Sequence, residues 1–113
     1  MDFQTPPVVA SATDDGLKLV FDGPIHTNVT WLEEELDKVV AAKPRVVQID
    51  MTRTDYISSL GIGILVSFNN RINANGGILK IIAIPKRVFS TFRVAYLDRV
   101  LKIEPAAIVA DPH

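Results

Sequence analysis

The chain has 113 residues, 12 Lys and Arg against 13 Asp and Glu for a formal net charge of −1, and 48% apolar side chains. That is enough apolar material for one small globular core and too little chain for a multidomain enzyme. Near-balanced charge gives no broad positive field for nucleic acid or anionic lipid, and the absence of cysteine excludes a disulfide framework, a thiolate metal site and a cysteine nucleophile.

The opening Met1-Asp2-Phe3-Gln4-Thr5-Pro6-Pro7 has no basic start followed by an apolar run, so it does not read as a secretory signal. Apolar runs elsewhere are shorter than a membrane span. A cytoplasmic protein without direct membrane insertion is expected.

Val8-Val9-Ala10 and the run 17–21, separated by the turn pair Asp15-Gly16, predict a β-hairpin closed off by Asp22-Gly23-Pro24. From Asn28 the period changes. Val29, Leu32, Leu36, Val39 and Val40 recur at helical spacing with Glu33, Glu34, Asp37 and Lys38 on the other side, which predicts an amphipathic helix ended by Lys43-Pro44. Its start has two readings: Asn28 caps it directly, or Thr30 and Glu33 form a capping box.

Val46-Val47-Gln48-Ile49-Asp50 reads as a buried central strand running into a polar stretch, 51–55. Ser58-Ser59 precede a second helical pattern with Ile62, Leu65, Phe68, Asn69 and Ile72 on one face, ending near Asn75-Gly76-Gly77. Residues 78–84 form another apolar run of strand length. Pro85 is then placed at the first position of a third helix carrying Val88, Phe92 and Ala95. Val100-Leu101-Lys102-Ile103 predicts a last strand, and the tail, with two prolines, supports at most a short helix.

The order β-β-α-β-α-β-α-β requires right-handed crossovers onto a mostly parallel sheet. The class is α/β: one domain over 1–113, a mixed sheet of about five strands packed by three or four helices, roughly as such an alternation dictates.

The residues offer little catalytic chemistry. His26 and His113 are the only histidines, too few for a metal site with no cysteine to help. Glu33-Glu34-Glu35 project around a helix and read as a solvated face. Gly61-Ile62-Gly63 lacks the third glycine of a dinucleotide fingerprint, and Ser59 stands in no nucleophile elbow with a base placed by spacing. No cofactor, no metal and no enzymatic activity are expected. Phe89, Phe92 and Tyr96 read as core or domain-edge packing, and Trp31, early in an acidic helix, reads as a contact residue.

What remains is the junction from Asp55 to Gly63, where a strand gives way through a polar loop to a helix that begins with serines. An open helix N-terminus offers unpaired N–H groups and partial positive charge, which suit a phosphate. Taken alone, Ser58 or Ser59 is also simply an N-cap.

Residues 46–52, then Tyr56-Ile57-Ser58-Ser59-Leu60-Gly61-Ile62-Gly63-Ile64-Leu65, then Asn75-Gly76-Gly77-Ile78-Leu79-Lys80-Ile81, resemble the STAS domain, and more narrowly the bacterial anti-sigma factor antagonists. The resemblance runs from about Val8 to Ile103 and agrees with the order of elements read independently. It places the serine that the family phosphorylates on Ser59. The sequence departs from the family where Ser58 replaces an aspartate and Leu60 replaces a second Ser or Thr, which makes Ser58 an alternative acceptor.

The resemblance implies a partner switch. Unphosphorylated, the chain docks on an anti-sigma factor that is also a serine kinase of the histidine-kinase-like ATPase fold, and sigma factor is released. Phosphorylation ends the docking, and a PP2C-type phosphatase resets it. The docking face is expected to comprise Thr27, Asn28 and Trp31 with Thr54, Asp55, Tyr56, Ser58, Leu60 and Ile62; Asp55 is expected to stand in for the missing acid. The alternative is a non-phosphorylated STAS assembly module of a lipid-transport ATPase or a stress-signalling complex. A shortened last helix would expose apolar surface for homodimer formation.

Overall fold

The computed structural model describes residues 8–26 and 29–111. Strands β1 (Val8–Ala12) and β2 (Gly16–Asp22) form the predicted hairpin, with Thr13 N–H donating to the Gly16 carbonyl at 2.9 Å. Helix α1 (Thr30–Ala42) leads to β3 (Val46–Arg53), α2 (Ser59–Ala74) to β4 (Ile78–Pro85), and α3 (Lys86–Val94) to β5 (Lys102–Ile103). A 3₁₀ turn, Leu97–Arg99, precedes β5; a second, Pro105–Ala107, precedes a short strand β6 (Ile108–Val109).

The sheet runs β1-β2-β3-β4-β5, with β1 antiparallel to β2 and every later pair parallel. Because β2 to β5 follow one another across the sheet in one direction, right-handed crossovers place their helices on a single face. Burial agrees. Leu19 and Phe21, Val47, Ile49 and Met51, and Leu79 and Ile81 are buried and join Leu32, Leu36, Leu65, Phe68 and Ile72 in one core. The alternate residues Lys18, Val20, Gln48, Asp50, Lys80 and Ile82 are half-buried or exposed.

That corrects the reading of residues 46–50. The strand is central, but it is buried on one face only, and Gln48 and Asp50 mark the open one.

Other local expectations also change. Val29, not Asn28 or Thr30, is the cap residue of α1; it makes no side-chain cap bond and is itself buried, so packing fixes the helix start and no capping box forms. Asn28 lies outside the described residues. Lys43 ends α1 in the left-handed region (φ 51°), as the following Pro44 disfavours another helical residue.

Pro85 ends β4 with extended backbone (φ −63°, ψ 148°) and precedes α3 instead of entering it; the Arg87 N–H is capped by Asp111 Oδ1 at 3.0 Å. Val88 and Phe92 are buried as expected, whereas Ala95 is an exposed cap and Tyr96, in the left-handed region (φ 60°), is exposed instead of packed. The last predicted strand shrinks to two residues because Val100 closes the 3₁₀ turn. Among the described residues the tail holds no α-helix; its β6 pairs with β4 through Ile84 and Pro85.

Candidate functional site

Beyond β3 the chain turns through Thr54, whose N–H donates to the Met51 carbonyl at 3.0 Å, and then returns to meet the loop that follows β2. Ile25 and Ile57 form an isolated parallel bridge. The Ile25 N–H donates to the Tyr56 carbonyl at 2.9 Å, and the Ser58 N–H to the Ile25 carbonyl at 2.8 Å. This pairing carries the path from strand to helix, so the start of α2 is held against a segment over thirty positions upstream.

The two serines at that point have different surroundings. Ser58 is the N-cap, with extended backbone (φ −78°, ψ 165°). Its hydroxyl accepts from the Gly61 N–H at 3.1 Å and donates to the His26 carbonyl at 2.6 Å, and the residue is 5% exposed. Both directions of its hydrogen bonding are occupied inside the protein. Ser59, the first helical residue, is exposed, and its hydroxyl has no partner among the described residues.

Gly61 explains how closely the pieces approach. A Cβ there would lie 2.6 Å from Ile25 Cγ2 and 3.0 Å from Ile57 Cγ1, so glycine lets the first turn of α2 settle on the two bridged isoleucines. Around Ser59 the surface is polar and apolar without being strongly charged. Leu60 is 55% and Tyr56 49% exposed, Asp55 is exposed, and the first turn of α2 has no acidic residue. The His26 ring lies 5.3 Å from that of Tyr56 at a tilt of 36°.

The remaining expected docking residues divide sharply. Trp31 and Ile62 are half-buried, while Thr54 is fully buried, its hydroxyl without a partner among the described residues, and in this conformation offers a partner no surface. Ser58 likewise presents almost none. Thr27 and Asn28 lie outside the described residues. Sequence reasoning missed Ile25 and the His26 carbonyl, whose only signal is one apolar residue stranded between the Gly23-Pro24 turn and α1.

Beside the junction, a hollow of about 400 Å³ opens at the ends of β2 and β3. Its Arg53 is paired with Asp22 at 3.2 Å, and the remaining charged lining residues are Arg87, Asp55 and Asp111, so carboxylates outnumber cations there by three to two. No group of three or more His, Cys, Asp or Glu among the described residues is placed to hold a metal ion. No helix among them is long and apolar enough to cross a membrane.

The sequence model of the STAS domain matches residues 8–107. The chain belongs to the STAS domain family. Solved structures place this STAS domain beside anti-sigma factor antagonists in fold. One from Mycobacterium paratuberculosis has a TM-score of 0.77 at 20% identity, covering 87% of this chain and 84% of the other. The anti-sigma factor antagonist SpoIIAA in its unphosphorylated form gives 0.70 at 13% identity, covering 86% and 87%. The Bacillus cell fate determinant SpoIIAA in its phosphorylated form gives 0.65 at 12%, covering 86% and 90%. At these identities the likeness is one of fold. No curated protein matches the sequence.

The hydrogen bonds separate the serines in a way stability measurements can read. Ser58→Ala removes a cap and a buried hydroxyl bonded in both directions, at a cost of about 1–2 kcal/mol. Ser59→Ala at an exposed position should stay within about 0.5 kcal/mol of the parent. Urea denaturation of both variants checks this, and equal midpoints would mean that the two hydroxyls are not distinguished.

Proposed function

We propose that this STAS domain is an anti-sigma factor antagonist, a cytoplasmic regulator switched by phosphorylation at Ser59. Unphosphorylated, it docks on an anti-sigma factor that is also a serine kinase of the histidine-kinase-like ATPase fold, and the sigma factor is released. The observation that carries the reading is the contrast at the start of α2: the Ser58 hydroxyl is enclosed and fully bonded, and the Ser59 hydroxyl is open to a kinase. Exposed Leu60 and Tyr56 beside it supply the apolar contact that such a partner would cover, with Asp55 at the edge. The chain is then a substrate and a ligand, and does no chemistry of its own.

Phosphoserine adds about −1.5 to −2 charges and three acceptor oxygens. At the N-terminal end of α2 that charge faces the positive end of the helix dipole, so the domain tolerates it. A packed interface does not, because charge enclosed without a partner is strongly unfavourable. The switch therefore acts on docking while the fold stays as it is, and a PP2C-type phosphatase restores the docking form.

The test is incubation of the purified chain with its cognate kinase and ATP, followed by fragment mass analysis and by co-elution in ADP. One phosphate on Ser59, with co-elution lost after its transfer, is the expected result. Phosphate on Ser58 would keep the switch and move the residue. No phosphate under any condition would turn the reading toward a constitutive STAS assembly module.

A further inference from the structure

The helices cover one face of the sheet, and the pairing registers put a row of cations across the other. Lys18 pairs with Gln48, Gln48 with Lys80, and Lys80 with Lys102. Lys80 and Lys102 are both exposed, stand directly opposite each other on β4 and β5, and have no ion-pair partner among the described residues. Like charges so placed repel across a strand pair, so the free protein carries an unfavourable contact that an anion between them would relieve.

The same two lysines help line a half-open cavity of about 220 Å³. Its lining is mostly apolar: Ile82 from β4 beside core residue Ile81, and Ala106 and Ala107 from the 3₁₀ turn that the tail makes before joining β4. Lys80 and Lys102 also line it, with Glu104 as the one acidic lining residue; Glu104 is within ion-pair distance of neither lysine. The volume is below the range of about 300–1,000 Å³ typical of pockets for drug-sized molecules, which limits the occupant to a short chain.

We propose that this cavity binds a small soluble amphiphilic carboxylate, its alkyl chain against Ile82, Ala106 and Ala107 and its carboxylate between Lys80 and Lys102. An apolar wall beside two unpaired ammonium groups matches that chemistry at both ends: the walls gain from excluding water, and the lysines gain a charge-assisted pair. A doubly charged inorganic anion would satisfy the lysines and leave the walls empty, and an alcohol would do the reverse. The site shares no residue with the Ser59 face, so it stands or falls independently of the switch.

The test is NMR titration of the full chain with butyrate, hexanoate and octanoate, with hexanol and inorganic phosphate as comparison probes. Hexanoate should give saturable shifts at Lys80, Ile82, Lys102 and Ala106, with affinity rising about fourfold per added methylene until the cavity is full. Hexanol, which lacks the charge-assisted contact, and phosphate, which lacks the apolar contact with the walls, should each bind at least about tenfold more weakly than hexanoate. The double variant Lys80→Gln with Lys102→Gln should weaken hexanoate by about tenfold or more without lowering the melting temperature, since it also removes the repulsion. Ala106→Phe, at an exposed position on the cavity wall, should abolish binding. Affinity independent of chain length, hexanol equal to hexanoate, shifts located elsewhere, or binding unchanged in the lysine variants would each overturn the proposal.

Discussion

If the proposed switch holds, Ser59→Asp is expected to weaken the proposed complex with a serine-kinase anti-sigma factor by about 2–5 kcal/mol, roughly 30- to 5,000-fold in dissociation constant. It is expected at the same time to leave the isolated domain as stable as the parent or slightly more so. The two effects have opposite sign because the same charge meets two environments. In the free protein the carboxylate sits at the first position of α2, a helix of 16 residues with no acid in its first turn, and gains about 0.3–1 kcal/mol from the dipole. In the proposed complex it would be pressed under a partner covering the exposed Leu60 and Tyr56, and enclosed charge without a partner is strongly unfavourable. Calorimetric titration in ADP and urea denaturation of the same preparation measure both. Binding retained within threefold would place Ser59 outside the interface; loss of binding together with stability would mean the helix start had been damaged.

How far the sequence discloses this site depends on the range of the interactions that make it. The helical spacing of Leu32, Leu36 and Val39 is a local pattern with one solution, and all three lie buried as that spacing requires. The choice between Ser58 and Ser59 is not local. It is made by the His26 carbonyl, 32 positions away, which takes the Ser58 hydroxyl and leaves Ser59 outside. Either serine suits a cap in sequence, and the Ile25–Ile57 bridge is what brings the His26 carbonyl to Ser58.

The same limit governs the errors of detail. Asn28 and Thr30 have the chemistry of caps, yet α1 starts where buried Val29 anchors it. Strand β6 is two residues long in a proline-bearing tail and carries no period of its own; it exists because β4 offers Ile84 and Pro85 as partners. Residues 46–50 read as a buried strand, but the single direction of the strand order leaves one face without helices, a property of topology and not of any one strand.

Glycine separates local from non-local causes most clearly. Asp15-Gly16 reads as a turn, and a turn is there, but Gly16 is the first residue of β2 and its reason for being glycine is the neighbouring strand. A Cβ at Gly16 would lie 1.8 Å from the Val46 carbonyl oxygen and 2.9 Å from its nitrogen. Those are backbone atoms of the parallel partner in the β2–β3 register, and they cannot rotate aside as a side chain would. Gly16→Ala must therefore push β2 and β3 apart at the start of their pairing, at a cost of about 3 kcal/mol or more, the upper end for overpacked sites. In a domain of this size that lowers the melting temperature by more than about 10 °C. Gly63 gives the matched control. It lies inside α2, exposed, with nothing within 4 Å of a built Cβ, so Gly63→Ala should raise stability by about 0.5–1 kcal/mol through helix propensity alone. Thermal melts of the two variants thus shift in opposite directions for the same chemical change. A Gly16→Ala protein that melts with the parent would mean that β2 and β3 do not meet at Gly16 and Val46, and would move the register of the sheet that carries the Ser59 junction.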